Sequence, residues 1–341
     1  MARLSWKAEG LCLLLWVGVL SFSGCDDDKS ETNLNTTQQQ SDTVTGVDVS
    51  ETVDTSSSAA VDSGSAVADM GAASVDSGAT RTLPTIAIGA VPAGSLAPLK
   101  KFFSKYISVF GVHIVATAKV PDKKVLHAAH VLAQYLDNNE DGVVDNPLVV
   151  KTMTQQAGGS VLVMFANSAE LENSGVFDSD IGEKFAVQDL QGEETHPEGS
   201  SGIGGFDATL EEVLHLVTAK GHSIAYPKVF GEKVGSQIGD AMDKARGGQF
   251  QSVPSSYPSA AWYHYDDQTC DYRCQVTEYF YWALTSLLGA QSYPGRCAEI
   301  AHEWEPCTKD KLHKTDPAIY KLLTDPTYKL PTQTPDGSYG G

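Results

Sequence analysis

Leu96, Leu99, Phe102, Phe103, Tyr106 and Ile107 recur at helical spacing and predict a helix from Ser95 to Phe110. The β-branched run from His113 to Val120, bounded by Gly111 and Pro121, predicts a strand. Helical spacing returns from Val125 to Tyr135 and from Leu148 to Gln156. Ser160 to Phe165 is a short continuous apolar run, as in a buried strand, and Phe185 to Leu190 reads as an edge strand. Helices then dominate: Asp207 to Lys220, Val234 to Ala245, Tyr272 to Leu288, and a shorter one from Asp316 to Leu323. Strands and helices mixed first and helices alone afterwards predict an α+β fold.

The first 82 residues obey no such pattern. Arg3 and Lys7 precede an apolar stretch from Leu11 to Phe22, and Ser23-Gly24-Cys25 follows, the layout of an export signal. An uncleaved anchor helix is the competing reading, but the run is shorter than the roughly 20 residues a bilayer needs, and Asp26, Asp27 and Asp28 come at once. Residues 26–82 hold no aromatic side chain and carry eleven Asp and Glu against Lys29 and Arg81. So little apolar surface cannot offset the entropy of ordering, and a disordered, self-repelling stalk is expected. The stalk accounts for nearly half of the net charge of −19. That acidity, without any cluster of Lys and Arg, argues against nucleic acid as a partner.

Residues 83–341 contain every aromatic residue except Trp6, Trp16 and Phe22, and are numerous enough for a sizeable core. One large domain is expected, or two intimate lobes at about 83–222 and 223–341. Cys270, Cys274, Cys297 and Cys307 all fall in the last quarter of the chain, an even number that reads as two disulfides in an oxidising compartment. Three connectivities are open, with sequence neighbours favoured; a four-cysteine zinc cluster lacks the paired two-residue gaps.

Around the apolar stretch, Leu20-Ser21-Phe22-Ser23-Gly24-Cys25 resembles the lipobox of bacterial lipoproteins, with Phe22 where Leu is usual. The resemblance implies that Cys25 becomes the lipidated first residue of the mature chain, attached to a membrane through several acyl chains.

Two further segments carry candidate chemistry. In Asp137-Asn138-Asn139-Glu140-Asp141-Gly142-Val143-Val144-Asp145, side-chain oxygens occupy loop positions one, three, five and nine, with glycine at six. The segment resembles the first nine positions of an EF-hand loop, in which Asp137, Asn139, Asp141, the Val143 carbonyl and Asp145 would bind calcium, a cation that takes six to eight oxygens. Position twelve is Leu148, so the bidentate Glu is missing; a structural role is expected, and a polar turn is the alternative.

The second is the helix from Asp207. Asp207 is a candidate cap, Thr209 with Glu212 a candidate capping box, and Gly221 a candidate stop. Leu210, Val213, Leu214 and Val217 form its apolar stripe, while Glu211, His215 and Thr218 lie along another. Read without a relative, this is an amphipathic helix with a solvated Glu pair and a core histidine. The string Glu211-Glu212-Val213-Leu214-His215 also resembles the His-Glu-x-x-His helix of zinc metallopeptidases, with Glu211 in place of the first His. Downstream, Glu278-Tyr279-Phe280-Tyr281-Trp282 resembles the helix of gluzincins, particularly those like the metallopeptidase domain of anthrax lethal factor, that supplies the third zinc ligand. Residue by residue, the resemblance implies zinc held by Glu211, His215 and Glu278, Glu212 as general base, a zincin-like fold, and a peptide or protein as substrate. The competing function is a catalytically inactive lipoprotein that binds a partner through the same scaffold.

Other residues carry less. His222 is a possible extra ligand. His264 and Tyr265 either stabilise a transition state or pack as an aromatic turn, with packing favoured. His127 and His130 have no carboxylate on their helix, and His302-Glu303 lacks a second His at the right offset. No Gly-x-Ser-x-Gly and no phosphate-binding glycine loop is present, which disfavours serine hydrolase and nucleotide chemistry.

Overall fold

Ser160 to Phe165 is buried at all six positions in a computed structural model that describes residues 83–199 and 205–341. Its unbroken apolar run forms a central strand because both faces are covered. It is β3 of a four-stranded mixed sheet of order β1-β2-β3-β4, with β1 Lys105–Val109, β2 Val112–Ala116 and β4 Ala186–Gln191. The hairpin β1-β2 is antiparallel, and β2-β3 and β3-β4 are parallel. Phe110 and Gly111, both at positive φ, make the tight β1-β2 turn.

The helices are α1 Asp122–Leu136, α2 Pro147–Gln155, α3 Ser168–Asn173, α4 Ile181–Lys184, α5 Thr209–Val217, α6 Ser223–Ala225, α7 Gln237–Ala245, α8 Tyr272–Leu288, α9 Arg296–Glu299, α10 Lys309–Thr315 and α11 Pro317–Leu323. The arrangement is α+β, with the sheet in the N-terminal part and helices in the C-terminal part. On one side of the sheet, Val115, Val161, Val163 and Phe165 pack with Leu99, Phe103, Leu171 and Phe185. Helix α5 packs against α1, β3, β4 and α8, which brings the acidic helix into the middle of the domain. None of the described helices is long and apolar enough to cross a membrane.

The expected helix from Ser95 to Phe110 is not formed. A 3-10 helix covers Gly94–Lys101, and Lys105–Val109 is the edge strand β1. Pro98 deprives the first segment of a backbone donor, and Tyr106, Ile107 and Val109 pair with β2 more favourably than they extend a helix. Gly221 does not stop α5. The helix runs through a π-helical turn, Thr218–His222, into α6. A side chain at Gly221 would meet Val149 Cγ1 at 2.6 Å, so the glycine is needed for the close approach of α2.

The disulfides join Cys270 to Cys274 and Cys297 to Cys307, with Cα atoms 5.3 and 5.4 Å apart. They staple the start of α8 and the segment from α9 to α10. The signal segment, the lipidation position Cys25 and the stalk 26–82 lie outside the described residues.

Candidate metal centre

Helix α5 is anchored before it begins. The Asp207 carboxylate accepts from the backbone N–H of Thr209 at 3.2 Å and of His196 at 2.9 Å, and pairs with His127 Nε2 at 2.7 Å. The carboxylate on which His127 depends thus comes from another element, across α1 and α5. The Thr209–Glu212 capping box is not formed, because the Glu212 side chain is drawn to the sheet. There Gln188 Nε2, on β4, donates to Glu212 Oε2 at 2.6 Å.

One turn along α5, Glu211 and His215 share a face, and α8 presents Glu278 to it. His215 Nε2 lies 3.4 Å from Glu278 Oε1 and 3.8 Å from Glu211 Oε1. The three residues offer ligand atoms all within 4.8 Å of one another. Four ligands about 2.1 Å from a zinc ion lie roughly 3.4 Å apart at the corners of a tetrahedron. His215 and Glu278 are wholly buried and Glu211 is largely so. Neither His215 nitrogen has a hydrogen bond of ordinary geometry. The contacts of Nε2 are therefore ionic, and Nδ1 has no acceptor.

The charges make the cluster costly without a cation. Burial opposes charge on His215, but Glu278 and Glu211 outweigh it and hold its pKa well above the ordinary value. Burial, reinforced by Glu211 and Asp189, pushes Glu212 well above the usual carboxylate range. Nearby, burial pushes Asp189 up to about 6 and Glu194 up to about 7. One imidazolium against the Glu211 and Glu278 carboxylates leaves a net negative charge in a largely buried site. A divalent cation with the same carboxylates and a neutral imidazole is neutral, so the donor set fits such an ion.

Helix α8 places Glu278 deep because the helix is buried on nearly every face from Gln275 to Ser286. Asp271 caps its start by accepting from Cys274 N–H, and Gly289, at φ 92°, ends it in the left-handed region.

His222 is not part of this group. Its ring lies among Tyr226, Phe230 and Phe280, where burial lowers its pKa to about 4. His264 packs on Tyr257 with ring centroids 5.5 Å apart, and Tyr265 is buried, which is the aromatic-turn arrangement. Asp266, His302 and Glu303 form a second, mostly exposed group with ligand atoms within 4.8 Å. His302-Glu303 has no second His at a ligand offset in the sequence; the third member, Asp266, comes from the segment that follows Tyr263, which is bridged to Trp304. Burial, with Asp266 and Glu278 nearby, pushes Glu303 up to about 8.

In the acidic loop, Asp137 is buried and accepts from the backbone N–H of Asp141 at 3.1 Å and of Gly142 at 2.7 Å, and from the Tyr339 hydroxyl at 2.5 Å. Asn139 Oδ1 accepts from Asp141 N–H, Asp141 Oδ1 from Val143 N–H, and Asp145 Oδ2 from Asn138 N–H. Burial and the neighbouring Asp137 and Asp141 raise the pKa of Asp145, although the Asn138 N–H opposes the shift. The carboxylates of Asp137, Asp141 and Asp145 do not converge as closely as the Glu211 group does. The C-terminal segment closes over the loop: Gln134 bonds Asp336, and Asn138 Oδ1 accepts from Thr332 and Gln333 N–H.

Comparison with protein-family models, with curated proteins and with solved structures returned no match.

Proposed function

We propose that the chain is a membrane-anchored, zinc-dependent, peptidase-like hydrolase of zincin-like fold, with Glu211, His215 and Glu278 holding the metal. What carries the reading is the convergence of two carboxylates, Glu278 buried and Glu211 largely so, on one imidazole nitrogen at 3.4 and 3.8 Å, close to the edge of a tetrahedral zinc site. Bound there, zinc supplies a Lewis acid that polarises a carbonyl. Glu212, beside the group and biased by its surroundings to take up a proton, is the general base. The Gln188 amide fixes its carboxyl by holding Oε2, leaving Oε1 to move the proton. A peptide or protein is the substrate class, on the strength of the two motifs. The acidic loop holds structural calcium through Asp137, Asn139, Asp141, Val143 and Asp145. Cys25 carries the lipid that tethers the domain to a bacterial envelope membrane.

A second reading, a partner-binding scaffold without catalysis, draws support from the same Gln188 bond, which occupies one oxygen of the proposed base. Glu212→Gln separates the two. Gln can still accept from Gln188, so the variant should fold and hold zinc, and hydrolysis of a peptide library should fall by a factor of about 100 or more. A zinc-loaded parent protein that cleaves no peptide in such a library would favour the scaffold.

A further inference from the structure

Asp266, His302 and Glu303, which the proposed reaction does not use, offer ligand atoms that all lie within 4.8 Å of one another. They come from two segments locked side by side. Tyr263 and Trp304 are bridged, His264 N–H donates to the Glu303 carbonyl at 2.7 Å, and Glu305 N–H donates to the Trp262 carbonyl at 3.2 Å. Both bridging residues are wholly buried and tied to α8: the Tyr263 hydroxyl donates to the Gln275 carbonyl and Trp304 Nε1 to Ser286 Oγ, each at 2.9 Å. The Cys297–Cys307 disulfide closes the loop that carries His302 and Glu303, and the Cys270–Cys274 disulfide follows Asp266. The backbone beneath the three side chains is therefore fixed by contacts that owe nothing to an ion.

The orientation of His302 suits a ligand. Its Nδ1 lies 2.9 Å from the Glu299 carbonyl, which can only accept, so the neutral ring carries its proton on Nδ1 and presents the Nε2 lone pair. A backbone carbonyl on the other ring nitrogen is the usual arrangement for a metal-bound histidine. Asp266 and Glu303 bring two carboxyl groups to the same point, where a divalent cation relieves their repulsion. Asp266 and His302 are exposed and Glu303 is partly buried. The side chains can therefore rotate to the roughly 3.4 Å separations of a tetrahedral shell, and water can fill its remaining position.

We propose that Asp266, His302 and Glu303 form a second zinc site, open to solvent, in which the three side chains hold the ion and water completes its shell. It shares no residue with the buried group of Glu211, His215 and Glu278 and does not depend on it. Exposure makes its ion exchangeable, so this zinc is given up on desalting while the buried site keeps its own.

Calorimetric titration of zinc into the metal-stripped full chain tests this, with excess calcium present to occupy the acidic loop and the carboxylates of the stalk. The proteins compared are the parent, His302→Ala, Asp266→Asn and His215→Ala. His302 and Asp266 are exposed, so their replacement leaves the core intact, and metal-free melting curves establish that each variant is folded. The parent should take up two equivalents of zinc, the second more weakly than the first. His302→Ala and Asp266→Asn should each lose the second equivalent and keep the first, whereas His215→Ala should lose the first and keep the second. If His215→Ala does not fold, the two exposed variants carry the test. A second equivalent that survives in folded His302→Ala and Asp266→Asn would overturn the proposal, as would a parent whose single equivalent is untouched by either change. A single equivalent lost in His302→Ala and kept in His215→Ala would uphold this site and overturn the buried one, and a parent that takes up no zinc would overturn both.

Discussion

His222 gives a pH prediction that does not depend on a metal. Its ring is buried in the π-helical turn after α5 among three aromatic rings, and neither nitrogen has a partner of ordinary geometry. Burial lowers its pKa from 6.5 to about 4, partly opposed by the carbonyls of Val217 and Tyr328. A lowered folded pKa means that the unfolded chain takes up the proton first. The stability tied to neutral His222 is therefore complete above pH 6.5 and is lost as the pH falls from 6.5 through 4. At 1.36 kcal/mol per pKa unit, the whole loss is about 3 kcal/mol, of which about 2 kcal/mol has gone by pH 5. His222→Phe fills the same aromatic cluster without a titrating group. Urea unfolding at pH 7.5 and pH 5, with chelator present, measures the difference in stability between parent and variant. Glu194 and Glu303, whose raised pKa values have the opposite sign, are present in both proteins and cancel in that difference. The parent should lose about 2 kcal/mol relative to the variant on going to pH 5. Parallel pH profiles would refute the assignment of a buried neutral imidazole.

Calcium should raise the melting temperature of the chelator-treated parent, and Asp141→Ala should abolish the rise; a parent melting curve unmoved by calcium leaves the loop as a polar turn. Mass spectrometry of the mature protein should find an acylated Cys25 at the N-terminus, and a mature chain beginning elsewhere without lipid would remove the anchor from the account.

Sequence and structure agree best where one physical signal dominates. Ser160 to Phe165 is a strand because five apolar residues in a row, Val161 to Phe165, need cover on both faces, and Tyr272 to Leu288 a helix because its bulk is buried on every side. The segment from Ser95 to Phe110 misled because Phe102, Phe103, Tyr106 and Ile107 satisfy a helical period while β2 offers β1 a complete antiparallel register. Glu211 and His215 were legible as one helical face, and Glu278 as a carboxylate among aromatics that needs a cation. Gln188 was not. It reaches Glu212 from β4, a contact to which neither spacing nor motif points. His127 shows the same limit, since Asp207 is absent from its helix and arrives across the fold.

The central claim is that Glu211, His215 and Glu278 form one metal site. Zinc added to metal-stripped full-length protein, followed by desalting and elemental analysis, tests it most directly, with His215→Ala and Glu278→Gln alongside. The account predicts one zinc per parent chain, a zinc-dependent rise in melting temperature, affinity that falls as acid competes for His215, and loss of retained zinc in both variants. A parent protein that emerges without zinc, or variants that retain as much as the parent, would contradict it.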